Sequence, residues 1–134
     1  MKRVVGALVL AGALITGLSC GGDGGTDSGP GVLKVKLTAP AANADSAILI
    51  TITGPVAPTS ATAGAGLRLF SDPGSSGTTR RYALTGRMTN GATILTINVA
   101  DVGAFSQYHG SVDGVSQDNY QLRSLSGYAL ALTR

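Results

Sequence analysis

The sequence predicts an all-β fold, a single antiparallel β-sandwich of about seven or eight strands over residues 32–134, with an open β-barrel as the alternative. Three observations predict it. Short runs alternate apolar and polar residues with a period of two, the signature of half-buried strands. Gly, Pro, Asn and Asp punctuate those runs at short intervals. The composition also leans the same way: the 134-residue chain has no Glu and only three Lys, while Gly, Ala, Ser and Thr dominate. Glu and Lys favour helices, whereas Thr and other β-branched residues favour strands.

The first strand is Val32 to Thr38, where Leu33, Val35 and Leu37 alternate with Lys34 and Lys36. The lysines face water and suit an edge position, because charge there discourages intermolecular pairing. Pro40 ends it. Ala47 to Thr53 is the second strand, with Ile48, Ile50 and Ile52 on one face, and Gly54-Pro55 terminates it. Val56 to Gly66 reads as a long crossover between sheets. Leu67 to Phe70 is a short strand, followed by the turn signal Ser71-Asp72-Pro73-Gly74.

Residues 80–99 read as a β-hairpin closed by Asn90-Gly91, a pair that accepts the positive φ of a two-residue turn. Ala100 to Ala104 is a turn or one helical turn, and Phe105 to Val112 is a further strand. Asp113-Gly114 and Gln117-Asp118-Asn119 bend the chain. Tyr120 to Leu125 is ambiguous, and Tyr128 to Arg134 is the closing strand. The expected core is Leu33, Val35, Leu37, Ile48, Ile50, Ile52, Leu69, Leu84, Leu95, Ile97, Val99, Leu130 and Leu132. Two sheets would bury these positions face to face. The runs AILITITGP and ATILTINVADVG loosely resemble segments of cohesin-like and other bacterial surface sandwich modules. That resemblance covers about half of the domain and carries no diagnostic motif.

Ahead of the domain, Lys2-Arg3 precedes fifteen uncharged residues, Val4 to Leu18, and then Ser19-Cys20. A bilayer-spanning helix needs about 20 apolar residues. The shorter run, with its basic start and small residues at its end, is built like a secretory signal peptide over residues 1–19. The alternative is an apolar N-terminal strand or buried helix. Cys20 is the only cysteine, so it forms no intramolecular disulfide. Ser19-Cys20 at the end of the apolar run resembles the lipobox of bacterial lipoproteins, with Leu18 tolerable before them and Gly17 departing from the usual Leu. The resemblance implies that Cys20 receives a diacylglycerol and acyl chains such as palmitate and becomes the new N-terminus. It further implies that Gly21 directs the protein to the outer membrane of a cell that has one. Two or more acyl chains give a stable anchor, at about 0.8 kcal/mol per buried CH₂. A conventional signal peptide with a free thiol is the alternative. Residues 20–31, ending GGDGGTDSGPG, then form a flexible tether.

Without Lys2 and Arg3, eight basic residues face seven acidic ones, all Asp, and no basic patch indicates nucleic acid. Cys and His counts of one each exclude a zinc site built from them. His109 lies in no Gly-x-Ser-x-Gly setting and reads as a strand-end residue. Asp113, Asp118 and Asn119, with Asp101, form a weak calcium candidate. Calcium takes 6–8 oxygen ligands, and the DxDxDG pattern is absent. Arg80, Arg81, Tyr82 and Arg87 are a candidate sugar- or anion-binding face, since guanidinium forks match carboxylates and phosphates. Neither a catalytic set nor a cofactor is expected. The expected function is a lipid-anchored, non-enzymatic binding or structural module of the cell envelope, its partners being the membrane and an envelope protein or polysaccharide. The alternatives are a carbohydrate-binding or adhesion module, which needs several exposed tyrosines on one face, and a small envelope hydrolase, which needs His109 bonded to an Asp and a Ser.

Overall fold

Alternating β-branched and aliphatic residues build eight strands in the computed structural model, which describes residues 28–71 and 76–134. The expected signal peptide, Cys20, most of the expected tether and the expected turn at 72–75 lie outside the described residues. The strands are β1 (Gly31–Thr38), β2 (Asp45–Thr53), β3 (Ser60–Ala63), β4 (Arg68–Ser71), β5 (Thr79–Thr85), β6 (Thr93–Val99), β7 (His109–Gln117) and β8 (Ala129–Thr133). Short 3-10 segments occupy Ala42–Ala44 and Val102–Gln107. Two four-stranded sheets result, ordered β3-β6-β1-β8 and β4-β5-β2-β7, with every pairing antiparallel. They remain two sheets rather than a closed barrel, so the fold is the predicted sandwich.

The core lies between the sheets. Leu33, Val35, Leu37, Ile48, Ile50, Ile52, Leu84, Leu95, Ile97 and Val99 are buried as expected. Leu69, Leu130 and Leu132 are only partly buried, because β4 and β8 are edge strands. Tyr82, Met88, Ile94, Tyr108 and Val115 complete the core. Ile94 enters through a β-bulge: Val35 faces Leu95 and Lys36 faces Thr93, so Ile94 is the extra residue and both Ile94 and Leu95 are buried. Tyr108 packs where Gly54 leaves room, since a Cβ at Gly54 would lie 2.3 Å from the ring.

Four local expectations are overturned. Residues 80–99 do not form a hairpin. β5 pairs with β2 and β4, whereas β6 pairs with β1 and β3 in the other sheet. Of the eight strands, only β4 and β5 are both consecutive and paired. Asn90-Gly91 does make a turn, but one that holds the end of β1. The Gly91 amide donates to Leu37 O (2.7 Å), the Leu37 amide donates to Ala92 O (3.0 Å), and Asn90 Oδ1 accepts from the Ala39 amide (2.9 Å). Gly91 has φ +77°, while Asn90 keeps a negative φ.

Lys34 and Lys36 face solvent, yet β1 is interior to its sheet, flanked by β6 and β8. The lysines therefore mark a solvated face, not an edge. The 56–66 connection does cross between sheets, and it carries β3 on the way. Asp113-Gly114 does not bend the chain out of the sheet. Leu49 faces Gly114 and Ile50 faces Val112, so Asp113 is the extra residue of a bulge inside β7. Before it, Phe105 belongs to the Val102–Gln107 turn, and β7 begins only at His109.

Candidate functional site

The antiparallel order gives the sandwich two poles. The chain enters at Gly31, beside Val99. That pole also holds the Val102–Gln107 segment, His109 opposite Thr53, and the C-terminal Arg134, whose guanidinium lies 5.4 Å from the Phe105 ring centre, a cation–π contact. Four connections gather at the other pole: residues 39–44, 64–67, 86–92 and 118–128.

At this distal pole Asp45 is 1 % exposed, the only buried charged residue among those described. A buried carboxylate is costly unless paired and hydrogen-bonded. Arg123 Nε stands 2.5 Å from Asp45 Oδ1, and the Tyr128 hydroxyl donates to Oδ2. Strand parity alone would turn Asp45 outward. A bulge at Ser46, between the pairs Asp45–Gln117 and Ala47–Ser116, turns it inward. Arg123 is fixed in turn by its amide, which donates to Val115 O (2.9 Å). The triad thus ties the 118–128 connection to the first residue of β2.

Burial pushes the Tyr128 phenol up to about 12, and its hydrogen bond to Asp45 and that group's charge push the same way. The folded protein therefore holds the phenolic proton more tightly than the unfolded chain. The stabilisation is complete below the ordinary tyrosine value of about 10 and is lost as pH rises from there toward 12. Denaturant midpoints should fall over that window in the wild type, and the fall should be smaller in Tyr128→Phe. Equal slopes in both proteins would refute the assignment.

Arg123 also forms one wall of an open cleft of about 320 Å³ bounded by residues 39–44 and by Asn90. Next to it the 118–128 connection exposes apolar side chains. Tyr120 is 91 % exposed, Leu122 82 % and Leu125 37 %. Tyr120 also has φ +64°, the one positive φ among described non-glycine residues. A bulky residue held there is strained, and such strain clusters at functional sites. Leu122 borders a shallow apolar depression on the outer face of β5-β2-β7, where Ala83 and Gly114 flank Leu49.

The sequence-predicted candidates are not assembled into one site. Arg80 and Tyr82 share the inward side of β5, Tyr82 being buried, while Arg81 and Arg87 are exposed. Burial raises the Tyr82 phenol, and the nearby Arg80 charge partly offsets this. Asp113 accepts hydrogen bonds from Thr51 Oγ1 and Ser111 Oγ on the outer sheet face. Asp118 and Asn119 lie in the turn beyond β7, and Asn119 Oδ1 accepts from the Gln121 amide (3.2 Å). Asp101 caps the 3-10 segment at the opposite pole. Its carboxylate accepts from the Gly29 and Gly103 amides, which hold it below the usual range. Among the described residues no three acidic, His or Cys side chains come together for a metal.

His109 is exposed at the first residue of β7, with no Asp or Ser bonded to it among the described residues, so the hydrolase constellation is not formed. Of the four tyrosines only Tyr120 is exposed. No helix of the described residues is long and apolar enough to cross a membrane.

Sequence reasoning missed Asp45, Arg123 and Tyr128. Asp45 lies 78 residues from Arg123 and 83 from Tyr128, so no local pattern joins them. Comparison with known protein families, curated proteins and solved structures finds no match to this chain.

Proposed function

We propose that the protein is an exported, lipid-anchored β-sandwich of the cell envelope, a non-enzymatic binding or structural module that meets an envelope protein through its distal pole. The observation that supports this is polarity. The tether enters at Gly31, and the exposed Tyr120, Leu122 and Leu125 stand at the other end of the sheets. Loops clustered at one end of a rigid scaffold commonly carry binding function. An anchored chain would hold its tether pole toward the lipid and offer the distal pole to a partner. Protein interfaces favour exposed aromatic and aliphatic anchors with an arginine nearby. A polysaccharide ligand is less well supported, because stacking on sugars calls for several aromatics exposed on one face, and Tyr120 and Phe70, the two exposed aromatics among the described residues, lie on different elements.

Two measurements test the two halves of the proposal. Mass spectrometry of the N-terminus should find Cys20 acylated as the first residue. Cys20→Ala should then accumulate precursor or release the domain from the membrane. An unmodified Cys20 thiol ends the anchor. Separately, a photo-crosslinking residue at position 120 should yield a defined envelope adduct, and one at position 109 should not. Adducts at 109 alone, or equally at both, would place the partner elsewhere.

A further inference from the structure

At the lateral opening between β3 and the β4-β5 pair lies a second, smaller cleft, of about 50 Å³. Arg80, Tyr82, Ser60, Ser71 and Thr59 line it. Arg80 faces Ile52 across the sheet, and Tyr82 faces Ser71. The Nε–H of Arg80 is fully buried and has no hydrogen-bond partner among the described residues. A buried donor on a charged group left unpaired is expensive, more so than a neutral one. None of the described residues lining the cleft is a carboxylate.

Two of the other lining groups, Ser60 and Tyr82, can donate. Ser60 Oγ already accepts from Asn98 Nδ2 (2.6 Å), so its own proton is available. Thr59 Oγ1 spends its proton on Asn98 O (3.3 Å) and so offers the cleft no donor. Tyr82 contributes a phenol that burial keeps protonated. A water could accept from the buried Nε–H of the half-exposed Arg80, but only an anion would also pair with its charge. A group that only accepts, and that carries negative charge, satisfies both needs, and charge-assisted hydrogen bonds of this kind are the strong ones.

We infer that this cleft is an oxyanion site, in which Arg80, with Ser60 and Tyr82, holds one phosphate or carboxylate group. A space this small takes the terminal group of a ligand and not a whole sugar. Its position is informative as well: Asn98, which Ser60 faces, also faces Val32, at the end where the tether enters. The group could therefore come from free solution or from a lipid headgroup. Only the second source rests on the membrane anchor proposed above, so failure of the anchor leaves the site itself standing.

The test uses the full chain with inorganic phosphate and acetate at constant ionic strength, with chloride as the control. Phosphate or acetate should raise the melting temperature saturably, as a ligand of the native state does, and chloride should not. Arg80→Met should weaken the apparent affinity by at least about tenfold. Amide shifts in the wild type should centre on Ser60, Ser71 and Arg80–Tyr82. This map decides the question if Arg80→Met fails to fold. A response equal to that of chloride, shifts centred elsewhere, or an unchanged response in a folded Arg80→Met would overturn the site. Dihexanoyl phosphatidylglycerol, below its micellar concentration, separates the sources. Binding about tenfold tighter than phosphate assigns a headgroup, and equal or weaker binding assigns a free anion.

Discussion

Truncating Ile50 to Ala is expected to cost about 2–5 kcal/mol, a large share of the roughly 5–15 kcal/mol that holds a typical domain together. Ile50 is fully buried at the centre of β2, between Tyr82 on β5 and Val112 on β7. Removing its branched side chain loses transfer free energy and leaves a cavity that strands on both sides keep from collapsing. Ile97 should behave alike in the opposite sheet, where it faces Leu33 and Ala61. Urea titration measures both. The contrast is His109→Ala, an exposed strand end, which should change stability by no more than about 0.5 kcal/mol. A loss below about 1 kcal/mol for Ile50→Ala would mean that the site relaxes around the void, against the packing seen here.

Why such positions were readable from the sequence is clear from β2. Ile48, Ile50 and Ile52 alternate with residues on the outer face, and the bulge opposite Leu49 and Ile50 puts its extra residue in β7 and not in β2, so parity alone gives their direction. Parity fails wherever an extra residue enters. Ile94, Asp45 and Asp113 each sit at or beside a bulge, so alternation does not give their direction. A bulge reverses the in–out sequence without leaving a compositional mark.

Turn chemistry was legible and topology was not. Asn90-Gly91 correctly announces a turn, but a turn signal says nothing about which strands it joins. Here the chain passes from one sheet to the other between β5 and β6, and the Asn90 side chain instead fastens the end of β1 by accepting from Ala39. β3 escaped notice because Ser60–Ala63 is four small residues on a sheet edge, with no large apolar side chain to set a period. The candidate face was split for the converse reason. Arg80, Arg81 and Tyr82 are neighbours in sequence, and in a strand neighbours point to opposite sides.

The distal triad gives the second large effect. Arg123→Met should destabilise the domain by about 3 kcal/mol, the low end of the cost of stranding one member of a buried ion pair. The low end applies because the Arg123 side chain keeps 21 % of its surface exposed, whereas that of Asp45 keeps none. The loss falls mainly on Asp45, left with the Tyr128 hydroxyl and no cation. Adding Asp45→Asn to Arg123→Met removes the stranded charge, so the double variant should recover part of the loss. That recovery distinguishes a charge effect from lost packing of the arginine stem. The 118–128 connection should loosen at the same time, since Arg123 is one of its two side-chain links to Asp45, Tyr128 being the other, and amide exchange at residues 118–128 should quicken while that of Ile50 follows only the global change. If the double variant is no more stable than Arg123→Met, or if exchange in this connection is unchanged, the triad does not hold the distal pole in place.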